Sequence, residues 1–82
     1  MELKVGAIVK AIAGRDADGF FVVTALEDGF AYLADGKSRP LARPKRKNLR
    51  HLRKTRDVLE LHEITDKKLR TALRQYAAGT TE

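Results

Sequence analysis

Ten cationic side chains fall between residues 37 and 56 with no acidic residue among them: Lys37, Arg39, Arg43, Lys45, Arg46, Lys47, Arg50, Arg53, Lys54 and Arg56. Ammonium and guanidinium groups each carry several N–H donors, and the planar guanidinium fork matches the paired oxygens of a phosphate. So dense a block repels itself unless a polyanion lies against it. The chemistry it suits is phosphate binding along a nucleic-acid backbone. The charge is also local. Residues 1–36 carry a net −3, residues 37–56 a net +10 and residues 57–82 a net −1, which together make the +6 of the chain. Uniform basicity would speak mainly for solubility, whereas one block speaks for a partner.

Catalytic and metal chemistry find little to work with. There is no Cys, so neither a disulfide framework nor a thiolate zinc site is available. His51 lies inside the basic run and His62 eleven residues later, without ligand spacing, so no metal is expected. The single serine, Ser38, has no base placed by a motif, and no Walker loop, GxGxxG or HExxH occurs. A chain of 82 residues buries roughly 60% of its extended surface and supports one core. These features point to a non-catalytic protein without a cofactor. A secreted domain this small would usually be stapled by disulfides, so a cytoplasmic setting is expected. The apolar stretch Val5–Ala13 is short and broken by Lys10, so no membrane span and no signal peptide are expected.

The elements that must position the block lie mostly before it. Residues 1–36 hold 21 of the 35 apolar residues. Val5–Ala13 reads as a strand with Ile8, Lys10 and Ile12 on one face and Val5 and Val9 on the other. Phe20–Glu27 reads as a second strand and Phe30–Ala34 as a third, joined by Asp28-Gly29, a dipeptide suited to a type I′ turn. Asp35-Gly36 has the same turn chemistry. Arg39–Arg43 is expected as a short fourth strand, at an edge or interrupted, because Pro40 and Pro44 cannot donate to a ladder. Leu49 and Leu52 pin a fifth strand or a helical turn before it, and Val58, Leu59 and Leu61 a last strand or an extended packing run. Short strands with glycine turns predict a small antiparallel barrel. The period then changes. Thr65 is a candidate N-cap, Ile64 can staple onto Leu69, and Leu69, Ala72, Leu73 and Tyr76 form one stripe. With Asp66–Arg70 as an i,i+4 pair and Gly79 as a stop signal, a helix over 66–77 follows. The expected organisation is residues 1–62 as a mostly β barrel containing the basic segment, and 63–82 as a C-terminal helix and short tail.

Two further features bear on binding. The loop Gly14-Arg15-Asp16-Ala17-Asp18-Gly19 is bounded by glycines, which lets backbone approach a ligand. A plain hairpin turn is the simpler reading, and Asp16 and Asp18 would repel phosphate, leaving Arg15 and the backbone as the contacts. Of the five rings, Phe20, Phe21 and Phe30 are expected in the core. Tyr32 is the candidate for stacking on a base.

Val5-Gly6-Ala7-Ile8-Val9, Gly14-Arg15-Asp16 and Phe20-Phe21-Val22-Val23 together resemble a KOW motif, a strand, a glycine-containing loop and a second strand. Asp28-Gly29-Phe30, Ala34-Asp35-Gly36-Lys37, Pro44-Lys45-Arg46-Lys47-Asn48 and His51-Leu52 extend the likeness over residues 5–55. The pattern looks like the small bacterial KOW-domain RNA-binding proteins, themselves similar to large-subunit ribosomal proteins of archaea and eukaryotes. The resemblance implies an SH3-like barrel and binding to RNA, ribosomal RNA in particular. Gly14, Arg15, Asp16 and Gly19 fall on the KOW loop. Where the family pattern places its second glycine, Asp18 stands here, with Gly19 next.

The reading is a monomeric cytoplasmic RNA-binding protein, associated with the ribosome. Its expected contacts are Arg15, Lys37, Arg39, Arg43, Lys45, Arg46, Lys47, Arg50, His51, Arg53 and Lys54, with Tyr32 as a stacking ring. The rivals are an SH3-like module of the transcription or translation machinery that binds an acidic protein, and a DNA-binding protein.

Overall fold

The computed structural model describes residues 3–15 and 17–79. The fold is mostly β. Five strands, β1 (Ala7–Ala11), β2 (Phe20–Glu27), β3 (Phe30–Ala34), β4 (Lys45–Asn48) and β5 (Leu52–Val58), form one antiparallel sheet, followed by helix α1 (Asp66–Gly79). The order across the sheet is β4-β3-β2-β1-β5. The ladder does not close: β4 and β5 stand at its two ends, joined in sequence by a 3-10 turn at Leu49–His51. The expected barrel is therefore an open sheet at the level of hydrogen bonding. Among the described residues no helix is long and apolar enough to cross a membrane.

Both faces of the sheet are covered, and β1 shows it in three consecutive residues. Ala7 and Val9 belong to a cluster with Phe21, Val23, Ala31, Leu33 and Leu52, while Ile8 between them belongs to a second cluster with Val22, Ala34, Leu69 and Leu73. The second cluster is roofed by α1. Its stripe buries Leu69 and Leu73 and brings Tyr76 against the sheet, as the helical spacing predicts. Thr65 caps the helix by accepting the Lys68 N–H at 3.2 Å, and Ile64 packs in the same cluster as Leu69. Asp66 and Arg70 do not pair. The Asp66 carboxylate accepts the Leu41 N–H at 2.7 Å, and Arg70 donates to the Gly36 carbonyl at 2.9 Å. Both ends of that expected i,i+4 pair instead hold the 36–44 loop against the first turns of α1. The helix extends to Gly79, two residues past the expected end.

The strands β2 and β3 have their predicted bounds, but three other expectations are corrected. β1 is shorter than Val5–Ala13: Val5 and Ile12 lie outside it, 51% and 47% exposed. The Asp28-Gly29 turn is not type I′, because Gly29 has a φ of +80° while Asp28 stays outside the left-handed region that type I′ requires of both residues. Arg39–Arg43 is not a strand. Asp35 closes this stretch into a loop by accepting the Lys37 and Arg39 N–H groups, each at 2.8 Å, and β4 begins only after Pro44, the second residue that cannot donate.

Two irregularities re-aim side chains. Thr24 is an extra residue in β2 between the pairs Val23–Leu33 and Ala25–Tyr32, and its hydroxyl donates to the Tyr32 carbonyl at 3.3 Å. On β5, four steps from Lys54 to Val58 oppose two steps from Val9 to Ala7. Thr55 manages this bulge. Its hydroxyl donates to the Ile8 carbonyl at 2.7 Å and accepts the Asp57 N–H at 3.2 Å.

Candidate nucleic-acid interface

The basic segment occupies the 36–44 loop, β4, the 3-10 turn and β5. Eight of its ten cations are exposed, so most of the block is available to a polyanion. The exceptions are half-buried Arg39 and buried Lys47. Lys37 and Arg43 sit on the loop fastened to α1. Lys45 and Arg46 lie on one end strand and Arg53, Lys54 and Arg56 on the other, with Arg50 and exposed His51 on the turn between. That turn is held at both ends. Leu49 donates its N–H to the Gly29 carbonyl at 3.1 Å, Ile12 donates to the His51 carbonyl at 2.9 Å, and the Asn48 side chain accepts the Arg50 N–H at 2.9 Å. The cations are thus carried on fixed backbone.

The run Lys45-Arg46-Lys47 is not three equivalent cations. Lys47 pairs with Ala31 across the ladder and points into the sheet's inner cluster side, where it is 9% exposed. Its ammonium donates to the Ala13 carbonyl at 3.0 Å, and a Cβ on Gly14 would lie 3.2 Å from the same nitrogen. Lys47 therefore ties the β1–β2 loop to β4. Arg46 faces the other way, opposite Tyr32. Its Nε donates to Glu27 at 3.0 Å, and its guanidinium carbon lies 3.6 Å from the centroid of the Phe30 ring. The Tyr32 hydroxyl donates to the second Glu27 oxygen at 2.9 Å. The hydrogen bond from Arg46, followed by that from Tyr32, holds the Glu27 carboxyl below its ordinary value. The bond to Glu27 in turn holds the Tyr32 hydroxyl above the ordinary tyrosine value. Tyr32, the expected stacking ring, is thus half-buried and tethered in a cross-strand network.

The β1–β2 loop keeps Arg15 exposed. Asp16 lies outside the described residues. Asp18 has a φ of +71° and donates its N–H to the Ala11 carbonyl at 2.7 Å, and Ala11 donates to Gly19 at 3.0 Å. Aspartate takes the left-handed conformation with less strain than most side chains. Asp18 thus supplies the left-handed residue before Gly19 at the entry to β2.

A cation and two rings that the sequence left out also come together. Lys10 lies opposite Arg53 in the β1–β5 ladder, and its ammonium is 5.8 Å from the centroid of Phe20. Phe20 meets Tyr76 edge to face, with centroids 5.2 Å apart and planes at 81°. The Tyr76 hydroxyl donates to Asp57 at 2.8 Å, so the β5 bulge fastens the last turns of α1. Between β5 and α1 this leaves a surface groove of about 800 Å³. Lys10 in an otherwise apolar strand was the one sequence signal for it.

Among the described residues no three His, Asp or Glu side chains gather as metal ligands would. Neither a protein-family model nor a curated protein sequence matches this chain.

Proposed function

We propose that this chain is a non-catalytic RNA-binding domain of the KOW kind, with an SH3-like sheet, that works in the cytoplasm on ribosomal RNA. The observation that carries the reading is the exposure of eight cations from an acid-free segment on a braced loop, turn and pair of end strands. The strand–loop–strand of residues 7–27, closed by Asp18, agrees with the motif that the sequence resembles. Binding is electrostatic. The sheet presents a fixed pattern of charge, and RNA is selected by the shape of its backbone more than by base edges.

Seven of the exposed cations, Lys37, Arg43, Lys45, Arg50, Arg53, Lys54 and Arg56, make no side-chain hydrogen bond or ion pair among the described residues. A structured RNA lies along one side of a body measuring 30 × 28 × 23 Å, so about five of the seven engage phosphates at once. The logarithm of the binding constant then falls against the logarithm of salt with a slope of about −3.5 to −4.5. The test is a salt titration with structured ribosomal RNA, duplex DNA as competitor, and a variant carrying Lys45→Gln, Arg50→Gln and Arg53→Gln. The variant is expected to fold and to flatten the slope by about 2 to 3. An unchanged slope, or preference for the DNA, overturns the reading. Binding to an acidic protein that persists after nuclease treatment would favour the rival interaction module.

A further inference from the structure

We propose that the groove between β5 and α1 receives an unpaired nucleotide, its base against the Phe20–Tyr76 pair and its phosphate on Lys10 and Arg53. The proposal rests on the RNA-binding reading and narrows its ligand to RNA with a looped-out or single-stranded residue.

Four observations converge on this groove. First, the two rings are half-buried, so each is anchored in the helix-side cluster yet keeps surface on the groove. A base needs a fixed apolar platform, and a ring that is both packed and partly open supplies one without ordering cost on binding. Second, Lys10 and Arg53 are cross-strand partners on the same face, so they offer two cations at one place beside the rings. Third, Lys10 is held over Phe20 at 5.8 Å, near the outer limit of about 6 Å for such an interaction. Its flexible stem can swing that ammonium to an arriving phosphate and uncover the ring for the base. Fourth, exposed Gln75 on α1 lines the groove and carries both a donor and an acceptor for a base edge. Asp57, the acidic group that lines it, is engaged by the Tyr76 hydroxyl.

The groove therefore differs in kind from the rest of the basic surface. On β4 the guanidinium that meets a ring, Arg46 on Phe30, is already bonded to Glu27, while here charge and aromatic surface lie open within one nucleotide's reach. Stacking adds affinity that salt does not screen, and this separates the two contributions in an experiment. Binding of a short single-stranded oligonucleotide is compared with that of a duplex RNA by salt titration, for the unmodified chain and for Tyr76→Leu, Phe20→Leu, Tyr76→Phe and Lys10→Gln. Tyr76→Leu and Phe20→Leu keep apolar volume without a ring. Each is expected to lose roughly 5- to 150-fold for the single strand at every salt concentration, with the slope and the duplex affinity unchanged. Tyr76→Phe keeps the ring but frees Asp57 beside Lys10 and Arg53, so its loss is smaller than that of Tyr76→Leu, and Lys10→Gln flattens the slope. A guard against misfolding is tyrosine emission in a Tyr32→Phe background, where Tyr76 is the remaining tyrosine. Quenching by the single strand and not by the duplex is expected. Equal losses on both RNAs, no loss on either, or quenching by both overturns the groove while leaving the basic surface standing. A chain that binds neither RNA overturns both readings.

Discussion

Lys45 and Lys47 are two residues apart on one strand, yet the structure gives them opposite roles, and replacing each by Met separates them. Both changes remove one charge and keep a long apolar stem. Lys45 is exposed with no side-chain partner among the described residues, so its loss costs less than about 0.5 kcal/mol of stability. Lys47 is 9% exposed and bonds the Ala13 carbonyl at 3.0 Å. A hydrogen bond to a charged group contributes about 1.5–3 kcal/mol. Ala13 is only half-buried, so water replaces part of the lost donor, and the lower end is expected. For a domain of this size about 1.5 kcal/mol lowers the melting temperature by roughly 6–12 °C. On the RNA-binding reading proposed above, the effects on affinity run the other way. Lys45→Met flattens the salt slope by about 0.7–0.9, one phosphate's worth, while Lys47→Met leaves it nearly unchanged at a temperature where the protein is folded. Thermal melts followed by circular dichroism and a binding titration settle both. If Lys47→Met melts with the unmodified chain and loses as much slope as Lys45→Met, Lys47 reaches phosphate and the loop-tether argument fails.

Two further outcomes are expected. Gly36 has a φ of +77°, and a Cβ there would collide with the Asp66 carbonyl, so Gly36→Ala loses at least about 1–2 kcal/mol from the left-handed backbone alone. Denaturant unfolding measures the loss, and an unaltered midpoint would mean that the 36–44 loop does not dock on α1. The Glu27–Tyr32–Arg46 network gives two pH windows. Glu27 titrates below its ordinary value, so its contribution is complete above the unfolded carboxyl value and is lost as pH falls through the lowered one. Tyr32 titrates above its ordinary value, so its contribution is complete below the unfolded hydroxyl value and is lost as pH rises through the raised one. Tyr32→Phe should move the Glu27 carboxyl upward in an NMR titration, and Arg46→Gln should move it further; no movement in either would remove the network.

The elements with strong local patterns were legible. β2 and β3 carry apolar and aromatic residues up to an Asp-Gly turn, and α1 begins at a threonine cap, so chain-local chemistry places them. β4 was not legible, since Lys45-Arg46-Lys47-Asn48 has no apolar alternation. Pairing with β3 makes it a strand, its register puts Lys45 and Lys47 on the inner-cluster side opposite Leu33 and Ala31, and of these two Lys47 is the one that is covered. The same limit hid the groove. Lys10, Phe20 and Tyr76 are far apart in sequence, and each has a sufficient local explanation as strand, core or helix stripe. Only the fold brings them to one place. Asp66 and Arg70 failed for a related reason. Their helical spacing is right, but the docked loop offers each a backbone partner that spacing cannot reveal.

Because the ladder stays open, β4 and β5 each leave one side of their backbone without a strand neighbour among the described residues. Such a flank is a template on which another chain can add as a further strand, and long charged side chains are a common guard against it. Here the guards are Lys45 and Arg46 at one end and Arg53, Lys54 and Arg56 at the other. The positive charge thus has a second consequence, independent of any nucleic acid: it sets like charge against like where two such flanks would meet. Neutralising these side chains is therefore expected to lower the barrier to self-association as well as the proposed affinity for phosphate, both through the same atoms.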